Sequence, residues 1–322
     1  MKILVTGGAG YIGSFMAKQL LDSGHTVVVV DSLEKGKRDA VDTRAKLLIG
    51  NLDDSQFLES VLQEGFEVVI HFAGSIEVGE SMQDPKKYFD NNTFVTLGLL
   101  EGMRAYNTKK IIFSSTAAVY GNPMKTPIPE DHPKNPTSPY GDSKYMTERL
   151  LHWYQDIYGI SYVSLRYFNA CGAALDGSLG EAHVPETHII PNAISAVLDK
   201  GKFSLFGNDY QTQDGTCIRD YIHINDLITA HVLAIEKLEK ETGGFTYNVG
   251  TGRGYSNKEV LDMVKKVSGV AIEVVVEPRR FGDPEVLIAD PENIQRDLGF
   301  TPKHSDLETI VKSAWEWHKN KK

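Results

Sequence analysis

Through the first half of the chain, short apolar runs alternate with amphipathic ones. KILVT, TVVVVD, AKLLIG, EVVIHFAG, KKIIFSST and SYVSLRYF are rich in Val and Ile and lack strict apolar–polar alternation. Such runs fit strands covered on both faces. Between them, IGSFMAKQLLDSG, DSQFLESVLQEG and NNTFVTLGLLEGMRAYN place apolar residues at helical spacing, with Gly24 and Gly65 where helices should stop. Strand–helix alternation predicts an α/β fold, a doubly wound parallel sheet with right-handed crossovers and helices on both faces. From about Asn169 the rhythm changes. A loop-rich stretch, NACGAALDGSLGEAHVPE, precedes a helix, a short strand KFSLFG and a turn NDYQTQDGT, with later helices near 226–239, 257–268 and 306–320. The expected division is 1–168 for the doubly wound domain, with a return segment near 220–250, and 169–322 for a smaller interleaved lobe.

Charge and composition narrow the partners. With 43 acidic against 34 basic residues the formal charge is −9, which argues against an electrostatic nucleic-acid footprint. No apolar run is long enough to cross a bilayer, and the chain opens directly on a strand-like segment with no signal-peptide pattern. Only Cys171 and Cys217 occur, in no CxxC arrangement, so a reducing, cytoplasmic setting is expected. His183 and His188 have no thiolate and no clear carboxylate partner at helical spacing, so no metal site is expected.

The candidate chemistry starts at TGGAGYIGS, between the first strand and the first helix. Gly7, Gly10 and Gly13 permit a tight turn, a close backbone approach to a pyrophosphate and close helix–strand packing, as in a Rossmann-type domain. The helix N-terminus then offers unpaired N–H groups and partial positive charge to the phosphates. Eighteen residues beyond Gly13, Asp31 ends the second strand, where its carboxylate can accept from an adenosine ribose and would repel a 2′-phosphate. NAD is therefore expected over NADP, a preference that Lys35, Lys37 and Arg38 weaken slightly.

Further along, SPYGDSKYMTERLL sets Tyr140 and Lys144 on one helix face. A phenol titrates near pH ~10, so its use as a base at neutral pH requires a neighbouring positive charge. Lys144 and a nicotinamide ring would both supply one, and Lys144 can also hydrogen-bond the nicotinamide ribose. Upstream, IIFSST ends in hydroxyl residues, and Thr116 can donate to a substrate oxygen and relay protons with Tyr140.

TGxxGxxG, the hydroxyl strand end and YxxxK resemble the extended branch of the short-chain dehydrogenase/reductase superfamily. HFAGSIEVGESMQDPKKYFDNN, FSSTAAVYGNP, RYFNACGA, LFGNDYQTQDGTCIRDYIHINDL and YNVGTGRGYSN are, more narrowly, similar to the UDP-glucose 4-epimerase family, over nearly the whole chain. The resemblance implies a tightly bound NAD, a UDP-sugar substrate and a homodimer formed through the helices around 92–106 and 140–158. It implies Tyr140, Lys144 and Thr116 as the catalytic set. For the cofactor it implies Gly7, Gly10, Tyr11, Ile12, Gly13, Asp31, Asn51, Leu52, Phe72, Ala73, Gly74, Asn91, Ser114 and Tyr167, with Tyr140 and Lys144. For the sugar nucleotide it implies Asn169, His188, Ile189, Leu205, Phe206, Arg219, Tyr221, Arg280 and Asp283, with Thr116. Two arginines suit a diphosphate, each presenting forked donors. Ile76 and Asn51 depart from the lysine and aspartate common in the family, which puts two cofactor contacts in doubt.

The expected reaction is transient oxidation at carbon 4 of a UDP-hexose, rotation of the 4-keto sugar and return of hydride to its opposite face. Epimerases of UDP-N-acetylhexosamine, UDP-pentose or UDP-uronate share every catalytic residue and stay open. Sugar-nucleotide 4,6-dehydratases usually carry Asp-Glu after the threonine, and Ala117 and Ala118 cannot transfer protons. A non-catalytic NAD-binding regulator would not need the tyrosine and lysine.

Overall fold

The computed structural model describes residues 1–280 and 283–321, and these divide into two compact units. The first comprises 1–121, 133–166 and 228–247, and the second 122–132, 167–227 and 248–322.

Seven strands form the sheet of the first unit: β1 (Lys2–Thr6), β2 (Thr26–Asp31), β3 (Lys46–Ile49), β4 (Val68–His71), β5 (Lys110–Thr116), β6 (Ser161–Tyr167) and β10 (Gly244–Val249). Their order is β10-β6-β5-β4-β1-β2-β3, and the pairs from β3 through β2, β1 and β4 to β5 run parallel. The order reverses between β1 and β4. In a doubly wound sheet that switch point opens a crevice at the carboxyl ends of the strands. AKLLIG departs from the expectation of a doubly covered strand. It forms the edge strand β3, which leaves Ile49 exposed.

The crossovers are α1 (Tyr11–Asp22), α2 (Ser55–Leu62), two single turns α3 (Val78–Ser81) and α4 (Pro85–Tyr88), a π-helical turn (Phe89–Phe94), α5 (Val95–Ala105) and α6 (Pro139–Tyr158). Leu4, Val28, Val30, Val69, Ile111 and Phe113 of the strands pack with Leu58, Leu62, Leu99, Met103 and Leu151 of the helices. At about 1.5–3 kcal/mol per buried aliphatic or aromatic side chain, this apolar layer is what holds the strand ends rigid. The sharp start of α6 is local chemistry: Ser138 caps it by accepting from the Gly141 amide, Pro139 takes the first turn, and Gly159 ends it with φ of 67°.

The second unit carries β7 (Asn169–Cys171), β8 (Lys202–Phe206), β9 (Ile218–His223), β11 (Gly254–Ser256), β12 (Glu273–Glu277) and β13 (Val286–Leu287). β9 pairs with β11, β13 and β7, while β8 pairs with β12. Its core lies among α7 (Ile189–Leu198), α9 (Asn257–Ser268) and α11 (Leu307–Lys321), through Ile190, Ile194, Val260, Val264, Ile310 and Val311. Helices α8 (Ile224–Lys240) and α10 (Glu292–Leu298) complete the chain. No described helix is long and apolar enough to cross a membrane.

Candidate active site

Two glycines are required where β1 meets α1. Gly7 has φ of 68°, and a Cβ there would sit 2.6 Å from the Ala73 backbone nitrogen. A Cβ on Gly13 would lie 2.2 Å from the Gly7 carbonyl oxygen. The loops after β1 and β4 therefore touch at the switch point, and their backbone surface is bare of side chains, as a pyrophosphate cradle needs. Asp31 is buried at the end of β2. Its Oδ2 accepts from the Ala9 amide at 2.9 Å and its Oδ1 from the Leu33 amide at 2.9 Å. The carboxylate thus shapes the glycine loop and still has lone pairs for a ribose. These residues fit a dinucleotide.

At the end of β5, Thr116 turns the chain into a short 3-10 segment (Ala117–Tyr120), its Oγ1 accepting from the Ala118 amide at 3.1 Å. The same hydroxyl hydrogen-bonds the Tyr140 phenol and pulls its pKa down, against burial, which pushes it above the ordinary value. Burial is the larger effect. One turn along α6, the Lys144 ammonium is 3% exposed, donates to the Ser114 carbonyl at 3.0 Å and lies 4.9 Å from the centre of the Phe113 ring. Burial lowers its pKa to about 8. The expected acidification of Tyr140 by Lys144 is not what the protein's own groups do: the resolved influences on the phenol are burial and Thr116.

Of the other expected cofactor residues, Phe72 and Ala73 are half-buried, and the Phe72 ring packs at a tilt against His231, centres 5.1 Å apart. A Cβ on Gly74 would lie 3.6 Å from Lys144 Nζ, so these two approach one another. Gly10, Ile12 and Ser114 are half-buried, Tyr11, Leu52 and Tyr167 buried, and Asn51 and Ile76 exposed. Asn91 donates to Ser75 Oγ at 3.1 Å. Its neighbour Asn92, unremarked in the sequence, is buried in the π-helical turn and donates to Ser75 O and Ser143 Oγ at 3.0 Å each. It ties the loop after β4 to α6.

Glu148 and Arg166 were also missed. Arg166 reaches both oxygens of Glu148 at 2.9 and 2.7 Å, Ser115 donates to that carboxylate at 2.6 Å, and Arg166 donates to the Tyr120 hydroxyl at 2.7 Å. Two signals existed. Glu148 lies four residues beyond Lys144 on one helix, and Arg166 interrupts the apolar strand SYVSLRYF.

In the second unit, Ile189, Leu205, Phe206, Arg280 and Asp283 line one cavity of about 290 Å³ with Thr187, Asn192 and Asn257. The Arg280 guanidinium lies 4.0 Å over the Phe206 ring, leaving its forked edge available. Asp283 also borders a second cavity of about 370 Å³, along 122–126 and 284–286. Four of the residues expected in this unit do not line the first cavity. Arg219 donates to the Ile218 and Pro284 carbonyls at 2.9 and 2.8 Å, with Asp283 at 3.7 Å. Asn169 donates to the Asp220 carbonyl at 2.9 Å, and His188 turns to Glu181 at 2.6 Å. Tyr221 is buried, and its hydroxyl makes no hydrogen bond.

The switch-point cradle, the buried carboxylate at the end of β2 and the Thr–Tyr–Lys set fit an NAD-using short-chain fold, and the chain belongs to the NAD dependent epimerase/dehydratase family, matched over residues 3–250. It is 47% identical to the UDP-glucose 4-epimerase of Lactobacillus helveticus, over 99% of this chain and 98% of that protein. The crystal structure of UDP-glucose 4-epimerase from Brucella ovis in complex with NAD superposes with a TM-score of 0.94 at 45% identity, covering 98% of this chain and 97% of that one. The UDP-Glc/GlcNAc 4-epimerase from Campylobacter jejuni gives 0.86 at 42% identity, covering 99% of both chains.

Proposed function

We propose that the chain is an NAD-dependent UDP-hexose 4-epimerase, interconverting UDP-glucose and UDP-galactose, with Tyr140 as its catalytic base. The observation that carries the assignment of roles is the Thr116–Tyr140 hydrogen bond beside a buried Lys144. The chemistry that NAD supplies when bound is reversible hydride acceptance. Tyr140, as phenolate, takes the proton of the hexose 4-hydroxyl and returns it after the 4-keto sugar has turned over. Thr116 stabilises the phenolate by donating to it. Lys144, placed by the Ser114 carbonyl, holds an ammonium below about pH 8 for a ribose hydroxyl. Gly7 and Gly13 admit the pyrophosphate, and Asp31 accepts from the adenosine ribose. Arg280 and Asp283 hold the nucleotide diphosphate and its ribose, with the uracil along β8.

Ala117 and Ala118 offer no proton-transfer group, which argues against dehydration across carbons 5 and 6. A second reading, use of UDP-N-acetylhexosamine, is supported by the 42% identity to the Campylobacter jejuni UDP-Glc/GlcNAc 4-epimerase. A homodimer through the helical segment 92–106 and α6 is supported by Phe94, Trp153 and Ile157, 61%, 53% and 63% exposed. The two cysteines are buried and unpaired, which fits a cytoplasmic setting.

The test is turnover of UDP-galactose and UDP-N-acetylgalactosamine by wild type and Tyr140→Phe, without added NAD. The variant should retain NAD and lose turnover by a factor of about 10² or more. Wild-type turnover by Tyr140→Phe refutes the base assignment, and no conversion of either sugar by wild type refutes the function.

A further inference from the structure

The loop before α7 gathers four groups that the mechanism does not use together. Glu181 Oε1 lies 3.0 Å from His183 Nδ1 and 2.6 Å from His188 Nδ1, and His188 Nδ1 lies 3.3 Å from Glu186 Oε1. All four donor atoms fall within 4.8 Å of one another, the one such cluster among the described residues. The sequence reading dismissed these histidines for want of a carboxylate at helical spacing. The carboxylates come from irregular chain instead.

Glu181 is 4% exposed, yet its Oε1 accepts no hydrogen bond. The Nδ1 atoms of both imidazoles lie beside that oxygen, at 3.0 and 2.6 Å. Four tetrahedral ligands at ~2.05 Å from an ion stand about 3.3 Å apart. The three close separations run from 2.6 to 3.3 Å and the others stay within 4.8 Å, so an ion needs the closest pair to spread by about 0.7 Å.

The scaffold is fixed from both sides. The Glu181 carbonyl accepts from Trp317 Nε1 at 2.9 Å. Glu186 is held by the Thr187 and His188 amides, which donate to its carboxylate at 2.7 and 2.8 Å, and by Asn192, which donates to its carbonyl at 3.2 Å. Outer contacts of this kind orient metal ligands.

We propose that Glu181, His183 and His188, with Glu186 as fourth ligand, bind one divalent transition-metal ion such as zinc, closing the 181–188 loop onto α7. Two imidazoles and two carboxylates suit Zn²⁺ or Co²⁺ and disfavour Mg²⁺ or Ca²⁺.

The test uses untagged, full-length, metal-stripped protein dialysed against ZnCl2 and assayed for bound zinc, and the same protein titrated with CoCl2. Wild type should hold one zinc per chain and give the strong visible bands of four-coordinate cobalt. His183→Ala/His188→Ala should lose both, and Glu186→Gln, which keeps the histidines, should weaken zinc by more than about tenfold. Circular dichroism establishes that each variant is folded. Equal zinc on wild type and the folded double variant, or cobalt spectra of the free aquo ion, would overturn the proposal and leave a plain ion-pair cluster. Neither readout depends on the epimerase assignment.

Discussion

Replacing Arg166 by methionine isolates the worth of the buried pair behind the β5 strand end. Its partner Glu148 has a side chain 7% exposed, against 5% for Arg166. The substitution removes two charge-assisted bonds to the carboxylate, at 2.9 and 2.7 Å, and leaves the Ser115 donor at 2.6 Å in place. Such bonds contribute roughly 1.5–3 kcal/mol each, and breaking one side of a buried pair costs about 3–5 kcal/mol. Arg166→Met should therefore lose about 3–5 kcal/mol. Glu148→Met alone strands the guanidinium and should lose a similar amount. In Glu148→Met/Arg166→Met no buried charge remains. Desolvation and attraction leave together, and the residual losses are Ser115's acceptor and the Arg166 donor to Tyr120, about 1 kcal/mol each. The coupling energy from the double-mutant cycle should then exceed about 2 kcal/mol. Urea unfolding followed by circular dichroism and by Trp fluorescence reads it, the two probes together checking that the units unfold in one transition. Additive single losses, or singles costing under about 1 kcal/mol, would refute the reasoning.

Other expectations follow from the same geometry. Gly13→Ala puts a methyl against the Gly7 carbonyl at 2.2 Å, so the purified variant should carry far less NAD than wild type, whereas Gly79→Ala, with nothing within 4 Å, should not. NAD released on denaturation measures this, and equal contents would show that the cradle lies elsewhere. Thr116→Ala removes the donor that lowers the Tyr140 phenol, so the acid limb of the kcat/KM profile should move to higher pH, while Thr116→Ser should keep it in place. An unmoved limb in both variants would remove Thr116 from the mechanism. His71 bridges the Thr6 and Thr96 hydroxyls at 2.7 and 2.9 Å, and burial holds its pKa to about 3, against 6.5 unfolded. Between those values the unfolded chain binds the extra proton. Stability from this group is complete above pH 6.5 and falls as pH drops toward 3, by up to ~1.4 kcal/mol per unit. His71→Gln should flatten the acid limb of urea midpoints between pH 4 and 6, and parallel limbs would refute this.

What could be read in advance was whatever is written locally. The glycine turn, the capped start of α6 and the Tyr140–Lys144 spacing are each set within a few residues, and β1, β2 and β5 appear where their apolar runs lie. The edge position of β3 was not legible, because partner order is not encoded in a strand's own residues. Nor was the balance at Tyr140, since its burial and the turn of Lys144 to the Ser114 carbonyl depend on packing from several elements. Arg219 illustrates the same limit: its charge suggested a phosphate ligand, yet β9 and β13 give it carbonyl partners at close range. The 181–188 cluster assembles from chain without periodicity, so no spacing rule could announce it.

The bond from Ala9 to Asp31 has a bearing on how cofactor choice could change. Exchanging Asp31 for a residue tolerant of a 2′-phosphate would also strand a buried amide in the glycine turn proposed to hold the pyrophosphate. A switch of nucleotide therefore demands a second substitution to re-anchor that turn, and any single-step intermediate would hold both nucleotides poorly.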